Sequence, residues 1–272
     1  MAEELLSVTN LSVSFRMYQG TLTHTLVAGM HDVNLHLNRG EILAVVGASG
    51  SGKSLLAHAV LGILPYNAVT SGEMRYRGEL LDAALQEQLR GREMALIPQS
   101  VTYLDPLMRV GKEVCGLYGA PADMAATFRR LHLEERVQRL YPFQLSGGMA
   151  RRVLFSTAVI TDASLIIADE PTPGMDVKSA VEALQLLREL ADAGKGVLLI
   201  THDIDLAVEV ADTVAVFYEG RTIDMIPAAS FRGDGSDLRH PYTRALYHAL
   251  PQNDFTVYTA AEVVQMTAAG GA

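Results

Sequence analysis

The stretch Gly47-Ala48-Ser49-Gly50-Ser51-Gly52-Lys53-Ser54 lies between the apolar run Ile42-Leu43-Ala44-Val45-Val46 and a second apolar run from Leu55 to Leu64. A strand that dissolves into glycines and restarts as a helix is the layout of a phosphate-binding loop. Glycine lets the backbone curl until successive N–H groups face one concavity, and the following helix adds its positive end. Gly47, Gly50, Ser51 and Gly52 are therefore candidates to cradle the phosphates of a nucleotide. Lys53 would reach the β- and γ-phosphate oxygens, and the Ser54 hydroxyl would hold the Mg²⁺ that bridges them.

The rest of the chain supplies a sheet for that loop. Leu165-Ile166-Ile167-Ala168, Val197-Leu198-Leu199-Ile200 and Val214-Ala215-Val216-Phe217 are short continuous apolar runs separated by helical patterns, as in buried parallel strands. Between the first two, Val177, Ala180, Val181, Leu184, Leu187 and Leu190 recur at three and four residues behind Asp176, a helix-capping residue. Ahead of the loop, Leu11, Val13 and Phe15 and then Val33, Leu35 and Leu37 alternate, which predicts half-buried antiparallel strands. From about Leu80 to Ala158 the pattern is mostly helical, punctuated by Pro98, Pro106, Pro121 and Pro142, with Met94-Ala95-Leu96-Ile97 as a short strand. The polar segment Arg232-Gly233-Asp234-Gly235-Ser236-Asp237 reads as a linker to a small C-terminal extension.

Composition narrows the partners. Thirty-one acidic against 22 basic residues leave a formal charge of −9, a field that repels nucleic acid, so phosphate binding must be local. No apolar run approaches the roughly 18 residues of a membrane span, and the acidic start Met1-Ala2-Glu3-Glu4 is unlike a signal peptide. One cysteine, Cys115, forms no internal disulfide and fits a reducing, cytoplasmic setting; nothing beside it in sequence argues for thiolate activation.

Hydrolysis needs a carboxylate for Mg²⁺ and another to activate water. Asp169-Glu170 follows the run Leu165-Ile166-Ile167-Ala168, and adjacent side chains at a strand end point to different sides, which aims Asp169 at the metal and Glu170 at the attacking water. Ser146-Gly147-Gly148, ahead of a helical stretch through Ile160, is a second anion-receptive helix start. Arg151 and Arg152 in that stretch are expected on a solvated face.

Together with Gln99 and with His202 in Thr201-His202-Asp203, this ordering resembles the ATP-binding subunits of ABC transporters over nearly the whole chain. The resemblance implies an α/β fold: a P-loop NTPase (RecA-like) core with an N-terminal antiparallel β subdomain and an inserted α-helical subdomain. The ATPase domain would span residues 1–231, with the helical insertion at about 100–160, and 232–272 would be the short extension. It implies that residues 47–54 are the Walker A loop, Gln99 the Q-loop glutamine with a place near the metal, and Ser146, Gly147 and Gly148 the signature. Asp169 would be the Walker B metal ligand, Glu170 the catalytic base and His202 the switch histidine at the γ-phosphate. Asp176 matches the D-loop, although Pro173-Gly174-Met175-Asp176 departs from the usual small-Leu-Asp ending. Phe15 matches the aromatic that stacks on adenine, with Tyr18 as its rival.

The same resemblance implies ATP and Mg²⁺ as ligands and a homologous second ATPase subunit whose signature completes this chain's site. It also implies two integral-membrane permease subunits and, indirectly, an extracytoplasmic solute-binding protein, with the chain peripheral on the cytoplasmic face and no nucleic acid bound. His240-Pro241-Tyr242-Thr243-Arg244-Ala245-Leu246 and Met149 resemble the oligopeptide, dipeptide and nickel importer branch. The short tail and Leu61-Gly62-Ile63-Leu64-Pro65 lean toward nickel or metallophore cargo, with peptide open. An accessory ATPase of a soluble assembly, like those of carbon–phosphorus lyase, shares these motifs; a chromosome or repair ATPase would carry a long coiled coil or a basic face.

Overall fold

The structure is a computed structural model that describes residues 3–19, 23–116, 119–232, 235–250, 253 and 262. Strands β1 (Glu4–Gln19) and β2 (Thr23–Asn38) form a long antiparallel hairpin, followed by the buried strand β3 (Ile42–Gly47) and helix α1 (Lys53–Leu61). Next come β4 (Ala68–Tyr76), β5 (Glu79–Leu80), α2 (Ala83–Leu89) and β6 (Met94–Ile97). The insertion contributes α3 (Val110–Cys115), α4 (Pro121–Arg130) and α5 (Gly147–Val159). Then β7 (Leu165–Asp169), α6 (Val177–Asp192), β8 (Gly196–Thr201), α7 (Ile204–Val210) and β9 (Thr213–Tyr218) alternate. The described chain closes with β10 (Arg221–Pro227), α8 (Ala229–Arg232) and α9 (Pro241–His248).

Among the described residues, two sheets result: an antiparallel one in the order β2-β1-β4-β5, and one in the order β10-β9-β3-β8-β7-β6 whose inner pairs are parallel. The period-2 alternation of β3 serves two cores. Leu43 and Val45 pack with α1 and the inward residues of the hairpin, whereas Ile42, Ala44 and Val46 pack with α5, α6 and α7. The fold is therefore the α/β P-loop architecture with an antiparallel sheet laid against one face.

In register, Val46 lies opposite Thr201, Gly47 opposite Phe217 and Asp169 opposite Ile200, so the carboxyl ends of β3, β7, β8 and β9 share one edge. That edge is where open α/β sheets hold ligands.

The hairpin depends on two facing bulges that alternation alone does not reveal. Val8 and Leu11 are both buried, as are Met30 and Val33, three residues apart instead of two. Asn10 and Asp32, each with φ +50, take up the extra residue and restore the inward parity. Strand β4 carries no apolar alternation because most of it is exposed, with only Tyr76 buried. In α6 the predicted stripe divides: Ala180, Leu184 and Leu187 are buried, but Val177 is 80% exposed and Val181 37%.

The expectation for Arg151 is overturned: it is only 7% exposed, and its Nη1 donates to the Pro98 carbonyl at 2.9 Å. Arg152 is half-buried and donates to the carbonyls of Gly148, Leu131 and His132. Both guanidiniums reach across to neighbouring segments instead of facing water. Of the expected extension 232–272, residues 233, 234, 251, 252, 254–261 and 263–272 lie outside the described residues; Tyr242, Tyr247 and Leu250 join the core.

Candidate functional site

The loop after β3 needs glycine for space as well as for conformation. A Cβ on Gly47 would fall 2.3 Å from the Phe217 carbonyl oxygen, since β9 runs alongside. Gly52, at φ +93, caps α1 where a Cβ would meet the Gly29 carbonyl at 3.1 Å. Lys53 is turned back into this loop, with Nζ donating to the carbonyls of Gly47 at 2.8 Å and Ala48 at 2.9 Å. Burial pushes its ammonium below the usual range, while the nearby charges of Glu170 and Asp169 pull it back up. A cation so held on neutral carbonyls has the charge to exchange them for phosphate oxygens.

Ser54, on the first turn of α1, donates its hydroxyl to Asp169 Oδ1 at 3.0 Å. Burial raises the Asp169 carboxyl, and the Ser54 hydroxyl, then the His58 charge, oppose the rise. Glu170 follows with φ +47, a conformation few non-glycine residues adopt and one typical of functional positions. Its carboxylate is buried and receives His202 Nδ1 at 2.8 Å on both oxygens. Asp169 and Glu170 thus diverge, one toward α1 and the other toward the end of β8. His202 is placed by the turn at Thr201, whose hydroxyl accepts the Asp203 N–H, and Asp203 in turn caps α7.

A cavity of about 350 Å³ joins these parts, lined by Gly29, Ser49, Gly50, Gly52, Lys53, Ser54, Leu55, Gln99 and Glu170. Gln99 arrives from the end of β6, and Ser51 lies buried within the loop. A larger cavity of about 620 Å³, on the exposed tip of the hairpin, is lined by Tyr18, Met17 and Tyr66 and contains none of the acidic, loop or histidine residues above. The smaller cavity is the one with chemistry.

Phe15 and Tyr18 part company here. The strand between them is unbulged, so three residues place their side chains on opposite faces. The Phe15 ring lies over Gly29 beside Leu55, on the border of the phosphate cavity, whereas Tyr18 lines the hairpin cavity. Gly29 and Leu55 were not singled out from the sequence. A glycine inside a strand, as in Val27-Ala28-Gly29-Met30, is the signal of a close approach.

Two predicted elements, the Ser146-Gly147-Gly148 turn and Asp176, stand apart from the cavity lining. Ser146 is exposed and caps α5 by accepting the Met149 N–H at 3.3 Å; Gly147 and Gly148 open the same helix. Asp176 is exposed and caps α6, with the Ser179 hydroxyl and N–H holding its carboxyl below the usual range. Cys115 is half-buried with its thiol raised by burial and lies against Met124, so it is not activated.

Among the described residues, no cluster of three or more His, Cys, Asp or Glu side chains could hold a metal by itself. Ser54, Asp169 and Gln99 instead offer a partial set of oxygen donors, the kind that suits Mg²⁺ shared with phosphate.

Comparison with known proteins bears on the fold and the family. The family model described as ABC transporter matches residues 30–173. The ATP-binding protein YejF of Escherichia coli is 38% identical over 93% of this chain, which spans 50% of that protein's length. The oligopeptide transport ATP-binding protein OppD of Lactococcus lactis is 36% identical over 92% of this chain and 77% of its own. The dipeptide transport ATP-binding protein DppD of Bacillus subtilis is 33% identical over 93% and 78%. Among solved structures, the dimeric bacterial ABC transporter cassette MJ0796 aligns with TM-score 0.72 at 25% identity, covering 82% of this chain and 99% of that one.

Proposed function

This chain belongs to the family of ABC transporter ATPases, and from that premise we propose that it binds and hydrolyses ATP with Mg²⁺, closes against a homologous subunit, and so drives import of peptides through a membrane permease. The observation that carries the proposal is the paired arrangement at the loop: Asp169 on the Ser54 hydroxyl and Glu170 on His202, both beside Lys53.

Phe15 would stack the adenine, a contact worth about 1–3 kcal/mol per base. Lys53 gives up the Gly47 and Ala48 carbonyls for phosphate oxygens. Ser54, Asp169 and Gln99 would hold Mg²⁺, which would supply positive charge against that developing on the phosphates. Glu170 accepts a proton from water as the water oxygen bonds to the γ-phosphorus and the bond to the β–γ bridging oxygen breaks, leaving ADP and phosphate. His202 fixes the Glu170 carboxylate for that step. Ser146, Gly147 and Asp176, exposed and outside the cavity lining, with half-buried Gly148 beside them, serve the partner's nucleotide, and exposed Val177 and Val181 add apolar surface just after Asp176.

Exposed Tyr103 and Leu107, close in sequence to Gln99, support docking of a permease on the cytoplasmic face of the membrane. Among the described residues no helix is long and apolar enough to span the membrane itself. The names of the relatives favour the peptide arm of the branch over the nickel arm.

The test is Glu170→Gln in the assembled complex. Mg-ATP binding should persist while turnover falls by about 10²–10⁴-fold, the usual worth of a general base. Turnover near the parental rate would remove Glu170 from its role. Purification with a soluble enzyme core in place of an integral permease would replace transport with the accessory role.

A further inference from the structure

Gly29 lines the phosphate cavity without a side chain, yet its backbone does not demand glycine. It has none of the positive φ found at Gly47, Gly50 and Gly52. In the hairpin, Val13 pairs with Met30 and Ser14 with Ala28, which leaves Gly29 as the extra residue of a bulge in β2. The bulge presses it into the site. A Cβ on Gly52 would meet the Gly29 carbonyl at 3.1 Å and one on Gly220 would meet it at 3.4 Å, while two residues on, the His31 N–H donates to the Gly220 carbonyl at 2.8 Å. The backbone at Gly29 is therefore wedged between the phosphate loop and the turn after β9.

The missing side chain leaves room for two others. A Cβ on Gly29 would fall 2.7 Å from Leu55 Cδ2 and 2.9 Å from Phe15 Cε2, closer than packed side chains approach. Both atoms are the ends of side chains that can rotate, whereas the wedged backbone cannot retreat. Leu55 shares the cavity lining with Gly29, and half-buried Phe15 packs on the same apolar core as Leu55. The three make one apolar patch at the border of a cavity that Lys53, Ser54, Gln99 and Glu170 also line. An aromatic ring beside a pocket with a cation and oxygen donors matches a ligand with a flat base and a charged tail.

We propose that Gly29 is the positioning residue for the nucleobase: by lacking a side chain it seats the Phe15 ring and Leu55 so that a base stacks on the ring while its phosphates reach Lys53. This inference rests on the ATP-binding reading above. The role is distinct from catalysis, because Gly29 acts through Phe15 and Leu55 and touches no reacting atom. Any side chain at this position would push the ring off its seat before it disturbed the phosphate loop.

Gly29→Ala asks only side-chain ends to move, so the fold should survive. In the full-length chain, equilibrium titration with Mg-ATP should show binding about 3- to 10-fold weaker, as part of the base stack is lost. Magnesium tripolyphosphate, which carries the phosphates without a base, should bind as it does to the parent chain. In a Phe15→Ala background the same substitution should cost less than about twofold further, because residues that act through one contact are not additive. Unchanged affinity for Mg-ATP overturns the proposal. So does an equal loss for tripolyphosphate, which would place the damage in the loop, or a full further loss without the Phe15 ring. A parent chain that binds no Mg-ATP would instead sink the proposed function, so the two failures are distinguishable.

Discussion

The residues at the carboxyl edge of the parallel sheet and those at the starts of α5 and α6 carry the same kind of polar chemistry in opposite states. Lys53, Asp169 and Glu170 are buried and Ser54 half-buried, bonded to one another or to the loop, and His202, itself exposed, bonds to the buried Glu170 carboxylate. Ser146 and Asp176 bond only to their own helices and stand exposed. Preorganised groups at low dielectric act strongly without rearrangement. Under the proposed function the first set is therefore complete within one chain as a binding apparatus, and the second is a surface whose ligand comes from outside.

Lys53→Ala probes the complete set and carries the largest effect on binding. Two charge-assisted contacts to phosphate, at about 1.5–3 kcal/mol each, imply binding at least about 10²-fold weaker, read by titration of the isolated chain. Near-parental affinity would mean that the buried lysine never leaves its carbonyls.

Gly147→Arg probes the exposed set. A Cβ there meets nothing within 4 Å, so the side chain has room in the lone chain. Mg-ATP binding to the isolated chain should be unchanged, while turnover of the assembled complex falls by about 10²-fold as the partner's phosphate loses its donors. Equal losses in both assays would erase the contrast between the two sets.

Arg151 ties the two regions together. From the first turns of α5 it reaches the Pro98 carbonyl, one residue before Gln99, while its Nε is buried without a partner and burial lowers its pKa from the usual arginine value. Arg151→Met gives up a charged hydrogen bond and relieves an imperfectly solvated cation, so the net cost in urea unfolding should be about 1–2 kcal/mol. A cost above about 4 kcal/mol would make the arginine a pillar of the fold instead of a link.

Legibility in the sequence followed burial and locality. The parallel strands and the phosphate loop were readable because continuous apolar runs and glycine spacing are local signals. The sheet pairing of β4 was not, because an exposed strand has no apolar rhythm. Asn10 and Asp32 hid their bulges, since a parity change looks like noise until the facing strand is known. Arg151 resembled a solvated residue, and only the fold brings it to Pro98. The motif at His240 was visible as a resemblance, but the seat of Tyr242 against Tyr218 and of Thr243 on Asp224 exists only in the fold and leaves no local trace.

The smallest expected effect concerns how firmly α9 is held against β9 and β10. The cap on α9 requires neutral His240, because a protonated Nδ1 has no lone pair for the Tyr242 N–H. Burial chiefly lowers the His240 pKa, with Asp224 partly opposing and Arg221 adding to the fall. The folded pKa therefore lies below the unfolded value of about 6.5. On acidification the unfolded chain takes up the proton first. This contribution to stability is full above about pH 6.5, declines as pH falls through that value, and levels off below the folded pKa. An N-cap is worth about 1 kcal/mol, which bounds the effect. His240→Asn keeps a good cap that does not titrate, so its thermal midpoint should fall less than the parent's between pH 7.5 and 5.5. Parallel pH profiles would show that the cap contributes nothing measurable, and that Thr243 and the tyrosine pair hold α9 without it.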